Sequence, residues 1–96
     1  MVLTKEVDIY VDKELALKDV PLSYDEFDLH SEEPQKVTGT LFLPHGDYYT
    51  QEKVLVIDFK DGVYAKARIT ESIRLCDEWQ SDITIIDAAD SLAAML

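Results

Sequence analysis

Two β-forming runs, residues 53–60 and 63–69, meet at Asp61-Gly62. Asp-Gly between apolar runs is the strongest short hairpin signal, because a tight turn needs backbone angles that glycine adopts at no steric cost. Within the second run Val63, Ala65, Ala67 and Ile69 alternate with Tyr64, Lys66 and Arg68. Side chains on a strand point to opposite faces in turn, so this run buries one face and wets the other. Val7, Ile9 and Val11 alternate in the same way with Glu6, Asp8, Tyr10 and Asp12, and Leu15 and Leu17 continue the pattern after a turn at Asp12-Lys13. Residues 37–43 are a further strand candidate, ended by the turn residues Pro44-His45-Gly46-Asp47.

Helical signals are weaker. Thr70 is placed to cap a helix over residues 71–79, with Glu71 suited to its first turn. The same stretch reads as a strand if Ile73 and Leu75 alternate, and the pattern alone leaves both open. Asp87 is placed to cap a short alanine-rich helix over residues 88–95, whose apolar spacing favours docking of the chain end over a free tail. Residues 20–35, punctuated by Pro21 and Pro34, read as a long loop or a poorly paired strand. The expected fold is α+β: one domain over residues 1–96, with an antiparallel sheet of three to five strands and one or two short helices.

The 96 residues suffice for one hydrophobic core and not for two. An apolar content of 47% is that of a folding chain. No apolar run approaches the ~20 residues that span a bilayer, and no signal-like segment follows Met1, so a cytoplasmic location is expected. The single cysteine, Cys76, has no internal disulfide partner, no Cys/His cluster suggests zinc, and the absence of asparagine rules out N-glycosylation.

Enzymatic readings find little support. The glycines at 39, 46 and 62 are scattered, whereas a phosphate-cradling loop clusters them at a helix start. Asp58 and Asp61 flank the hairpin turn, which explains them without metal or acid–base chemistry. His30 and His45 lie in polar loop segments with no nucleophile motif nearby. Asp77 and Glu78 beside Cys76 disfavour a thiolate, so the thiol is expected to be inert. No catalytic, cofactor or metal-binding residue is assigned.

The charge is more informative. Twenty acids stand against nine bases, a net of −11, which disfavours direct contact with nucleic acid or anionic membrane and favours a basic partner. Residues 19–35 hold six acids and no base, and residues 75–96 hold five acids and no base. These two blocks account for the whole net charge. Tyr24, Asp25, Glu26 and Asp28, interleaved with Phe27 and Leu29, combine an apolar anchor with an acidic rim. Glu32 and Glu33 extend that rim, Asp77, Glu78, Trp79 and Asp82 repeat the chemistry, and Tyr48-Tyr49 offer one surface aromatic. These twelve residues, without Phe27 and Leu29, are the expected partner-binding set.

A duplex carries one charge per ~1.7 Å of axis, so eleven charges match roughly 19 Å of DNA. Imitation of nucleic acid requires both acid blocks to share a face. In size and charge distribution, though in no sequence motif, the chain is similar to small antagonists of phage and mobile elements, such as anti-CRISPR and anti-restriction proteins. That similarity implies an acidic inhibitor or decoy that occupies a basic, nucleic-acid-binding surface of a larger protein or complex. The alternatives are an assembly subunit that oligomerises through sheet edges and surface aromatics, and an immunity protein or antitoxin.

Overall fold

A computed structural model describes residues 2–25, 38–43, 53–75 and 78–96. Six strands follow one another as β1 (Val2–Val11), β2 (Glu14–Asp25), β3 (Thr38–Leu43), β4 (Val54–Asp58), β5 (Tyr64–Leu75) and β6 (Glu78–Ala89), ahead of one helical turn, α1 (Leu92–Met95). They close into a barrel in the order β1-β2-β3-β6-β5-β4, and every neighbouring pair is antiparallel. The expected α+β class with three to five strands is therefore wrong. The described chain is almost wholly strand, and its six strands form one closed sheet.

The barrel consists of two three-stranded meanders, β1-β2-β3 and β4-β5-β6, joined at two places. β3 meets β6 over six residue pairs, from Thr38↔Thr84 to Leu43↔Trp79. β1 meets β4 over three, Asp8↔Asp58, Ile9↔Ile57 and Tyr10↔Val56.

Local chemistry sets the turns. Asp12 and Lys13 both take positive φ, 51° and 73°, as a two-residue hairpin loop requires for its twist to match that of the flanking strands. At the β4–β5 turn Gly62 has φ 88°, and Asp58 and Asp61 accept hydrogen bonds from the N–H groups of Lys60 and Val63 at 2.7 and 3.3 Å. Two irregularities shift the β1–β2 register between Val7↔Val20 and Tyr10↔Leu15, and Asp19, with φ 55°, lies within this bulged stretch. Bulges bend a strand and raise its twist, as a small closed barrel needs.

Of the two readings open for residues 71–79 the strand holds over 71–75 and 78–79, and of the helix expected over 88–95 only Leu92–Met95 is helical. Residues 71–75 pair with 78–82 in the β5–β6 hairpin, whose ladder runs over eleven residue pairs. This cross-strand ladder satisfies the backbone groups that a helix would have satisfied within its own segment, and Ile73 then sits on a pleated surface suited to β-branched side chains. Asp87 does accept a hydrogen bond from the Ala88 N–H at 2.9 Å, but Ala88 and Ala89 continue β6 opposite Ala65 and Tyr64. The helical turn starts only after Ser91. Residues 20–25, expected as loop or poorly paired strand, belong to β2, while 26–35 lie outside the described residues.

The interior is filled by alternate side chains: Val7 and Ile9, Val20 and Leu22, Leu41 and Leu43, Leu55 and Ile57, Ala65, Ala67 and Ile69, and Ile83 and Ile85. Each fully buried aliphatic side chain stabilises the fold by about 1.5–3 kcal/mol relative to exposure, against the entropy cost of ordering the chain. Phe59 packs edge-on to Tyr24, with ring centroids 5.2 Å apart. Buried Ser81 hydrogen bonds to Ser72 at 3.0 Å, which satisfies the polar hydroxyl in the interior. No helix among the described residues is long and apolar enough to cross a membrane.

Candidate protein-binding groove

β3 lies between β2 and β6, so a single strand separates Asp25 of the first base-free block from Asp82 of the second. Thr38 and Thr40, two residues apart, present hydroxyls on the same face of β3. Thr38 Oγ1 donates to Asp25 Oδ2 at 3.4 Å, and Thr40 Oγ1 donates to Asp82 Oδ1 at 3.1 Å. A third hydroxyl, from Thr70 on β5, donates to the Asp82 carbonyl at 3.2 Å. Strand spacing and rise put the Cα atoms of Asp25 and Asp82 about 12 Å apart, with β3 between them.

These side chains border an open groove of about 440 Å³, with Ser23, Tyr24, Gly39 and the core residue Ile83 also in its wall. The size lies within the range of small-molecule and side-chain pockets. Among the described residues that line it there is no lysine or arginine. The groove is therefore rich in acceptors. Its two carboxylates are oriented by hydroxyl donors, and no ion pair within the described part of the chain engages them.

Of the twelve residues expected from the sequence, the structure brings Tyr24, Asp25 and Asp82 together here. Tyr24 is half-buried with its ring against Phe59, so it forms part of the wall and does not project as an anchor. Trp79 lies three residues from Asp82 on the same strand and packs against the core, away from the groove. Glu78 opens β6 opposite Leu75, at the far end of the hairpin. Glu26, Asp28, Glu32, Glu33, Tyr48, Tyr49 and Asp77 lie outside the described residues. Asp25 and Thr38, which flank segment 26–37 in the chain, both line the groove.

Sequence reasoning missed the hydroxyls of Ser23, Thr38, Thr40 and Thr70. The signal was available in Thr38-Gly39-Thr40, because alternation within a strand puts two threonines on one face. Not every acid of the two blocks belongs to the groove. Asp19 is engaged by Lys60, which Asp8 also approaches at 3.2 Å. The hydrogen bond to Asp19 is the largest reason that the Lys60 ammonium holds its proton above the ordinary value of 10.5. Asp61 is held below the ordinary carboxyl value, chiefly by its hydrogen bond from Lys5.

No group of three His, Cys, Asp or Glu side chains among the described residues is placed to hold a metal ion. No protein-family model matches the chain, and neither does any curated protein or solved structure.

Proposed function

We propose that this protein is a small acidic binding module, an inhibitor or decoy that occupies a basic, nucleic-acid-binding surface of a larger protein or complex. The observation that carries this reading is the composition of one groove. Side chains from both base-free blocks line it, and among the described residues no cation does. Arginine or lysine side chains of the partner would donate to Asp25 and Asp82, whose carboxylates the threonine hydroxyls already hold in place. Pre-orientation lowers the entropy lost on binding, and charge complementarity speeds encounter. The chain between Asp25 and Thr38, two residues that line the groove, carries four further acids, Glu26, Asp28, Glu32 and Glu33.

Closure of the barrel weighs against assembly through sheet edges, because each strand pairs with a neighbour on both sides. The decoy reading is tested by immobilising the protein, retaining its target from lysate at low salt, and challenging the complex with duplex DNA and with RNA. A decoy predicts that the retained protein binds nucleic acid, that added nucleic acid displaces it, and that retention falls steeply with salt. A target that holds nucleic acid and this protein simultaneously would overturn it.

A further inference from the structure

We propose that the β1–β4 joint is an ionic seam, along which the barrel opens locally between its two meanders when ionic strength rises. This inference is independent of the groove and of the decoy reading.

The placement of the ion pairs carries it. Four occur among the described residues: Lys5–Asp61 at 2.7 Å, Lys53–Asp12 at 3.3 Å, Lys60–Asp8 at 3.2 Å, and Lys60–Asp19. In each, one partner belongs to β1, β2 or their turn, and the other to β4's flanks. None of the four crosses the other joint, β3–β6. Their order also follows the ladder. Backbone pairing between β1 and β4 stops at Asp8↔Asp58 on one side and Tyr10↔Val56 on the other. Continued in register, the ladder would bring 5 opposite 61 and 12 opposite 54. Lys5–Asp61 falls on that line, and Lys53–Asp12 falls one residue from it. Where strand pairing ends, charge pairing takes over.

The two joints thus differ in kind. β3–β6 is held by six residue pairs and the side chains beneath them. β1–β4 has three, between strands that are far apart in the chain. The β2–β3 ladder is as short, but its strands are consecutive in sequence. Exposed lysine–aspartate pairs weaken as salt screens them, whereas backbone ladders and apolar burial do not weaken in this way. Partial openings of this kind have lower free energy than global unfolding and follow the least secured boundary in a fold. Opening here would expose the edges of β1 and β4, with Ile9 and Ile57 behind them.

Amide hydrogen exchange of the full chain, read residue by residue by NMR, tests the seam. The probes are those amides among residues 8–10 and 56–58 that bridge β1 and β4, with β3–β6 amides as the internal reference. Raised salt should accelerate the seam amides relative to the reference. Lys60→Gln should do the same at low salt, by about threefold or more given the usual strength of exposed pairs. Arg74→Gln removes the same charge from the distant β5–β6 hairpin end and should leave the ratio unchanged. If Lys60→Gln does not fold, the wild-type salt series decides alone. Seam and reference amides that respond in parallel to salt, or an Arg74→Gln effect equal to that of Lys60→Gln, would overturn the proposal.

Discussion

Thr40 on β3 donates a hydrogen bond from Oγ1 to Oδ1 of Asp82 on β6, at 3.1 Å. Its neighbour on the same face, Thr38, does the same for Asp25 on β2. A single strand without charged residues thus orients one carboxylate from each acid block, although the two residues lie 57 positions apart in the chain (25 and 82). Asp25 and Asp82 are both solvent-exposed, so replacing them should leave the barrel intact. The Asp25→Asn/Asp82→Asn double variant keeps the acceptor oxygens and removes two charges. Its unfolding free energy should change by no more than about 0.5 kcal/mol per site. Its affinity for the retained target should fall about tenfold or more, with a shallower salt dependence. Glu14→Gln, outside both blocks, is the control that should do neither.

Gly39 is required by close approach. A Cβ built there would lie 2.8 Å from the Ser23 carbonyl oxygen and 3.1 Å from Tyr24 Cβ. Neither atom is the free end of a flexible side chain, so the β2–β3 ladder must shift to accept it. Gly39→Ala should destabilise the protein by about 1–3 kcal/mol in denaturant titrations, the usual cost of overpacking. Because Ser23, Tyr24, Gly39 and Thr40 of that ladder line the groove, the variant should also weaken target binding. A variant as stable as wild type would show that the strands yield without cost.

The parts of this fold that were legible in the sequence are local. The Asp61-Gly62 turn, the Asp12-Lys13 turn and the alternation of Val7 with Ile9 each depend on a few adjacent residues, and the structure contains all three. What was not legible depends on register. A shift between Ile69 and Glu71 breaks the period-two pattern where residues 71–79 were being read, and another between Lys66 and Ala67 does the same opposite residues 85–87. A bulge sets two residues of one strand against one of its partner, so a sequence window crossing it loses its alternation and admits a helical reading. Closure was equally hidden, since nothing local to β1 or β4 specifies that they meet. The acid blocks were visible as composition, yet only the position of β3 between β2 and β6 brings Asp25 and Asp82 to one groove, and only the bulge at Asp19 turns that acid toward Lys60 instead.

Ser81 is fully buried and hydrogen bonds to Ser72 inside the barrel. Ser72→Ala removes this partner from a hydroxyl that water does not reach, and should cost about 1–3 kcal/mol. Replacing both serines with alanine removes the stranded hydroxyl as well, so the double variant should be less destabilised than the sum of the two single changes. A double-mutant cycle measured by chemical denaturation reads that coupling directly. Strict additivity would mean that the two hydroxyls do not depend on each other.

The seam also predicts a pH dependence with opposite signs at the two extremes. Lys5 holds Asp61 below its ordinary value of 3.8, so the stabilisation from that pair is complete above 3.8 and is lost as pH falls through the lower folded value. Lys60 is raised above 10.5, so its contribution is complete below 10.5 and is lost as pH rises through the higher folded value. Comparing Lys5→Gln with wild type should therefore show a stability difference at neutral pH that disappears in acid. For Lys60→Gln the difference should disappear in strong alkali. Subtracting the variant curve from the wild-type curve removes most of the general effect of titrating the many other carboxylates.

The chain end docks through one residue. Met95 is 4% exposed, and α1 rests against β5 and β6, whereas Leu96 remains on the surface. A four-residue helix has almost no intrinsic stability, and Ser91 makes no side-chain capping bond to it, so burial of Met95 is the main force that places it. Deleting residues 92–96 should lower stability by about 1.5–3 kcal/mol, the worth of one buried apolar side chain, and depress the melting temperature accordingly. Met95→Ser in the full chain should reproduce most of that loss, because Met95 is the one buried side chain of the turn. If the deletion melts at the wild-type temperature, α1 is not held against the barrel in solution.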